Sequence, residues 1–201
     1  MRKATIKRKT KETEINVKLA IEGSGKTRID TGIGFLDHML ELFAFHGLFD
    51  LDATAKGDLK VDIHHTNEDI GIVLGDAFKK ALGDKKGIKR FGSISVPMED
   101  VVANVSVDIS GRGFFSGIII EGPKIFKIKT SERYSFEYAN HLFESLAKRI
   151  GMNLNINLTT HNPDLHTNLE PVFKALGIAL DQATQIDPRR IGVPSTKGVI
   201  D

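Results

Sequence analysis

The sequence predicts an α+β fold of two internally duplicated half-domains, with helices packed on one face of each sheet. Two observations predict it. The first is internal repetition. HHTNEDIGIVLGDAFKKAL from His64 is echoed by HTNLEPVFKALGIALDQA from His166, which sets Glu68 on Glu170, Ile70 on Val172, Leu74 on Leu176 and Phe78 on Leu180, all at an offset of 102. Upstream, DHMLELFA from Asp37 resembles NHLFESLA from Asn140 at an offset of 103. Two echoes in the same order at almost the same offset mark a duplication. The second observation is that each half carries both strand-like alternation and helix-like apolar stripes, with strand runs segregated from helices. The halves are read as residues 1–88 and 89–201, joined near Asp84 to Gly92 and fused into one globular domain.

Ile15, Val17, Leu19 and Ile21 alternate with polar residues and predict a half-buried strand. Gly23-Ser24-Gly25 then predicts a hairpin turn, with KTRID as the returning strand. Leu59, Val61 and Ile63 predict another strand. Ile70, Val73, Leu74, Ala77, Phe78, Ala81 and Leu82 recur at helical spacing and form one apolar stripe. In the second half, Val101, Ala103, Val105, Val107 and Ile109 alternate as a strand, and Leu169, Val172, Phe173, Leu176, Leu180 and Ala183 form a second stripe. The tail from Asp187 to Asp201 reads as extended or loop.

Composition narrows the functions. The 201 residues are 40% hydrophobic and 27% charged, ordinary for a soluble globular chain. No apolar run approaches the ~18 residues of a membrane span, and the basic start MRKATIKRKTKETEIN has no apolar stretch behind it, unlike a secretory signal. With no cysteine, thiolate chemistry and disulfides are excluded, which fits a cytoplasmic location. The net charge of +2, with signs interspersed, argues against a nucleic-acid partner. The basic residues Arg2, Lys3, Lys7, Arg8, Lys9 and Lys11 have no aromatic interleaving and read as the exposed face of an edge strand. AIEGSGKT, from Ala20 to Thr27, fits a relaxed phosphate-loop pattern, but a strand-like run follows where the mechanism needs a helix.

The histidines carry more. His64 and Glu68, four apart at the start of a predicted helix, share one face, and His166 and Glu170 repeat that spacing. Imidazole with carboxylate suits manganese, iron or zinc. His65 adds a donor next door, and His38 sits in the apolar run FLDHML. Capping boxes, Thr66 with Asp69 and Thr167 with Glu170, are the competing explanation for the acids; two copies within a duplication, with extra histidines, favour two metals. Candidate anion contacts are Arg90 and Arg112, each near glycine, Lys174 one helical turn past Glu170, and Ser195 with Lys197 in PSTKG.

Taken together, TGIGFLDHML, HGLFDL, HHTNEDIGIVLG, RFGSISVPMED, DISGRG, FKALGIAL and VPSTKGVI, spread from about Ala4 to Asp201, resemble the imidazoleglycerol-phosphate dehydratase family. The resemblance implies a duplicated fold similar to domain 2 of ribosomal protein S5 and a homo-oligomeric shell of 24 subunits. It implies a phosphorylated imidazole substrate that loses water in histidine biosynthesis, and two manganese ions per site. Carried over by position, the metal ligands fall on His38, His64, His65, Glu68, His166 and Glu170. The catalytic carboxylates fall on Glu12 and Glu170, and the substrate contacts on Glu12, His46, Arg90, Arg112, Lys174, Ser195 and Lys197. Two expected ligand histidines are replaced, by Asn155 and Thr167, so at least one metal is expected to bind more weakly. His141, which echoes His38, and His161 are candidate replacements. Those replacements keep a second reading open, a diverged shell protein that binds without turnover. An RNA-binding module rests on fold analogy alone.

Overall fold

The computed structural model describes residues 1–122 and 133–200. The first half runs β1 (Lys3–Lys9), β2 (Thr13–Ala20), β3 (Thr27–Asp30), α1 (Gly34–His46), β4 (Asp50–Gly57) and α2 (His64–Leu82). The second half repeats it with β5 (Phe91–Met98), β6 (Val101–Asp108), β7 (Phe114–Glu121), α3 (Phe136–Ile150), β8 (Asn153–Thr160) and α4 (Leu165–Thr184). Each half makes a four-stranded sheet, ordered β1-β2-β4-β3 and β5-β6-β8-β7. The identical order confirms the duplication and equates α1 with α3 and α2 with α4.

Alternation decides which face of each sheet is covered. Ile15, Val17 and Leu19 of β2, and Val101, Ala103, Val105 and Val107 of β6, are buried, while their neighbours in sequence are half-buried or exposed. The helices lie on those buried faces, α2 on β1 and β2, α4 on β5 and β6. They then pack across the halves, α2 on α3 and α1 on α4, so both sheets share one continuous core. Small residues permit the crossings. A Cβ on Gly71 would stand 2.6 Å from the Leu142 carbonyl oxygen of α3, and one on Gly177 would stand 2.2 Å from that of Phe43 in α1.

Two sequence expectations are corrected. The residues around Leu59, Val61 and Ile63 form no strand. β2 runs out at the Thr13–Gly57 pair, so the chain beyond Gly57 has no strand to pair with; it turns, with Val61 N–H donating to the Asp58 carbonyl, and leaves Val61 exposed. Gly23-Ser24-Gly25 is not a hairpin either. β3 pairs in parallel with β4, so the loop crosses the end of β4. The Asp50 carboxylate holds the crossing by accepting from the backbone N–H groups of Ser24, at 2.8 Å, and Lys26, at 3.1 Å. Of the basic N-terminal run, Lys3, Lys7, Arg8 and Lys9 lie on β1, an edge strand as expected, with Arg2 and Lys11 just outside it. The tail is irregular through Ile200; its last residue, Asp201, lies outside the described residues.

Candidate functional site

The cross-packing of helices brings the predicted donors together in two sets. In the first, His38 of α1 meets His166 and Glu170 of α4. His166 Nε2 is 2.8 Å and His38 Nε2 is 3.7 Å from Glu170 Oε2. One ligand atom from each of the three residues lies within 4.8 Å of the others. Phe35 packs its ring edge against His166 and helps fix it. In the second set, His64 and Glu68 of α2 meet His141 of α3. His64 Nε2 lies 3.2 Å from Glu68 Oε2, and the two Nδ1 atoms of His64 and His141 are 3.2 Å apart. A cleft of about 270 Å³ opens there, lined in part by Glu144, Lys148 and Arg149.

The sets are copies. His38 answers to His141, His64 to His166 and Glu68 to Glu170, at the offsets of the sequence repeat, and the α1–α4 contact answers to the α3–α2 contact. The capping explanation fails in both halves. Asp164, not Thr167, caps α4, and the buried Thr66 hydroxyl finds no partner among the described residues. Asp69 turns to Arg8 and Thr13, and Glu170 to the histidines.

Glu170 stands in a mixed field. Burial alone would raise its carboxyl, but hydrogen bonds from Lys174 and His166 outweigh burial and hold it below the usual range. His46, at the end of α1, is pushed down by burial and by the Lys174 ammonium, against the opposing pull of Glu170. His65 stands apart from both sets. Its Nδ1 is 3.0 Å from Asp58 Oδ2, which raises its affinity for a proton, and 3.9 Å from Glu12 Oε2 at the tip of the β1–β2 hairpin.

The anion candidates engage different partners. Lys174 sits on Glu170 at 2.5 Å. Arg90 grips both carboxylate oxygens of Asp108 and donates to the Pro194 carbonyl, which brings the Ser195 segment beside it. Ser195 Oγ accepts from the Lys197 N–H. The side chains of Arg112 and Lys197 make no hydrogen bond or ion pair among the described residues.

The two replaced positions also separate. Asn155 is exposed on β8 between the buried Leu154 and Ile156, so it points away from the helices that carry both sets. Thr167 gives its N–H and hydroxyl to Asp164, at 2.8 and 3.0 Å. His161 is exposed and joins neither set among the described residues. His141 is thus the donor that the spacing of acids and histidines left unassigned; the DHMLELFA–NHLFESLA echo was the signal for it.

Residues 31–180 match the family model of imidazoleglycerol-phosphate dehydratase. The chain belongs to that family. A dehydratase of this name from Geobacter metallireducens is 50% identical over 197 residues, covering 98% of both chains. Another from a Thermoanaerobacter species is 51% identical over the whole of both chains. Among solved structures, the Pyrococcus furiosus dehydratase matches with a TM-score of 0.80 and 35% identity over 96% of this chain and 99% of its own. The Staphylococcus aureus dehydratase matches with a TM-score of 0.77 and 30% identity, over 92% and 99%. The duplicated fold is therefore the dehydratase fold, and both donor sets lie on its four helices.

Proposed function

We propose that this dehydratase-family chain removes water from imidazole glycerol phosphate to give imidazole acetol phosphate, a step of histidine biosynthesis. The observation that carries the reading is the convergent His38–His166–Glu170 set, with the same residue types at the repeat positions His141, His64 and Glu68, in a chain half identical to named dehydratases over its full length. That likeness favours the enzyme over a shell protein without turnover.

The His38–His166–Glu170 donors converge on one point and fit a divalent ion as they stand. The second set has the same residue types, but His64 turns Nε2 to Glu68 and Nδ1 to His141, so its ring has to turn to bring all three donors to one ion. Each set offers two imidazoles and one carboxylate, a mixture suited to manganese, and leaves coordination positions open. His38, His166 and Glu170 would hold one ion and His64, Glu68 and His141 the other, with His65 available to complete one of them. Bound there, the ions would supply Lewis-acid polarisation of the imidazole ring.

The chain's own groups do the rest. Glu12 is exposed at a hairpin tip beside His65, where a carboxylate can take a proton from a bound substrate. Glu170, kept anionic, acts electrostatically. His46, disfavoured as a cation, is available to hydrogen-bond the substrate. Lys174, Arg90, Arg112, Ser195 and Lys197 supply the phosphate contacts, gathered from more than one copy of the chain.

Exposed apolar side chains support a homo-oligomer, with the 24-subunit shell as the expected form. Phe45, Leu48, Phe91, Phe114 and Ile119 are each at least half exposed in the single chain, apolar area that assembly would bury. No helix among the described residues is long and apolar enough to cross a membrane. Together with the absence of cysteine, this supports a cytoplasmic location.

The deciding experiment is turnover of imidazole glycerol phosphate by metal-stripped protein, before and after manganese is restored, with particle mass followed by light scattering. Manganese-dependent product from the large assembly is expected. Folded, manganese-loaded protein that makes no product would hand the lead to the binding reading.

A further inference from the structure

Asp69 follows the proposed ligand Glu68 on α2, yet it faces away from the donor sets. Its carboxylate is buried, accepts from Arg8 Nε at 2.9 Å and accepts from the Thr13 hydroxyl at 2.5 Å. A carboxylate there can only accept, which fixes the direction of every hydrogen bond linked to it. Thr13 gives its proton to Asp69, so the 3.3 Å contact between the Thr10 and Thr13 hydroxyls must have Thr10 as donor. The Thr10 oxygen is then left to accept from the backbone N–H groups of Glu12, at 3.1 Å, and Thr13, at 3.0 Å. A directed chain of hydrogen bonds thus runs from a helix that carries proposed ligands to the backbone of Glu12.

The second half shows that packing does not require this chain. Strand register sets Val101 on Thr13, since Val101 pairs with Thr160 of β8 as Thr13 pairs with Gly57 of β4. The helix repeat sets Pro171 on Asp69. Val101 and Pro171 are both buried, so at the equivalent positions the hairpin seats on its helix with an apolar pair in place of Thr13 and Asp69. In that half the residue answering to Glu12 is Asp100, which accepts from Asn162 Nδ2 at 2.9 Å. Among the described residues the polar relay is present only in the half whose hairpin tip carries Glu12 beside His65.

We propose that Asp69 is a positioning residue that sets the Glu12 carboxylate for reaction through Thr13 and Thr10. The proposal rests on the reading of Glu12 as a proton-transferring group, and a double-mutant cycle on the assembled, manganese-loaded protein separates the two. Asp69→Asn and Thr13→Val should each lower kcat about 10- to 100-fold, the scale on which small misplacements act, with KM and manganese bound per chain unchanged. Added to Glu12→Gln, neither should lower kcat further, because the group they position is already lost. Thr13→Val cuts the relay without touching the Arg8–Asp69 pair, so it carries the test if Asp69→Asn fails to fold. Losses that multiply with Glu12→Gln would overturn the proposal, as would unchanged kcat in the folded single variants. Loss of manganese in Asp69→Asn would overturn it by showing that Asp69 acts through Glu68. Full activity in Glu12→Gln alone would remove the reading of Glu12, and the proposal with it.

Discussion

Glu170 touches His38, His166 and Lys174 at once, and each contact has a different consequence. The lysine and His166 keep it charged, while the histidines place its free lone pairs where a cation would sit. His141 holds the other set together across the α2–α3 contact. His141→Ala should therefore lower manganese affinity at one site by about tenfold or more and leave the other intact, as read by equilibrium dialysis of metal-stripped protein. Affinity unchanged at both sites would remove His141 from the ligand set. The His64–Glu68 and His166–Glu170 pairings were legible because residues four apart on a helix share a face, a spacing that says nothing of His38 or His65. Strand position alone does not say which face of a sheet the helices cover; the burial of Leu154 and Ile156 sets it and turns Asn155 away from both donor sets. Thr167 was legible as a missing imidazole, but its engagement by Asp164 is visible only in three dimensions.

Elements were most legible where burial is one-sided over a long run, as in β2, β6, α2 and α4, and least where pairing depends on distant chain. β3 looked like a return strand because a glycine-rich turn precedes it, and only the Asp50 side chain explains why the loop crosses β4 instead. That carboxylate lies below its ordinary value of 3.8, chiefly through the N–H groups of Ser24 and Lys26. A carboxylate with a depressed pKa contributes stability that is present above its unfolded value and is lost as pH falls through the folded one. Asp50→Ala should cost of order 1 kcal/mol at neutral pH after discounting for solvent screening, a drop of about 2–4 °C in Tm for a chain of this size. The gap between variant and parent should be constant from pH 7 to about 4 and should narrow below pH 3.8. Thermal melts across that range check it; a gap that widens with acid would mean that Asp50 is not the strap of this loop.

At the scale of the molecule, duplication makes two donor sets alike, and the departures from symmetry decide how they differ. The first repeat follows His64 with His65, a spare imidazole outside its own set; the second follows His166 with Thr167, whose hydroxyl and N–H serve as cap contacts to Asp164. Two sets of three donors therefore share one extra imidazole. If each set takes one ion, one site gains a fourth protein ligand and the other completes its coordination with solvent or substrate. The two sites should separate into a tight and a weak class differing by about tenfold or more in manganese affinity. Titration of metal-stripped assembly, followed by the electron paramagnetic resonance signal of free manganese, resolves the classes. Thr167→His should draw the weak class toward the tight one, and His65→Ala should draw the tight class down to the weak. Thr167→Ala should leave the weak class where it stands; if it abolishes that class, Thr167 is itself a ligand and the asymmetry argument fails. Two equal classes in the parent protein would mean that another group of the assembly fills the place of the absent imidazole. No binding at all would remove the metal reading on which both sets depend.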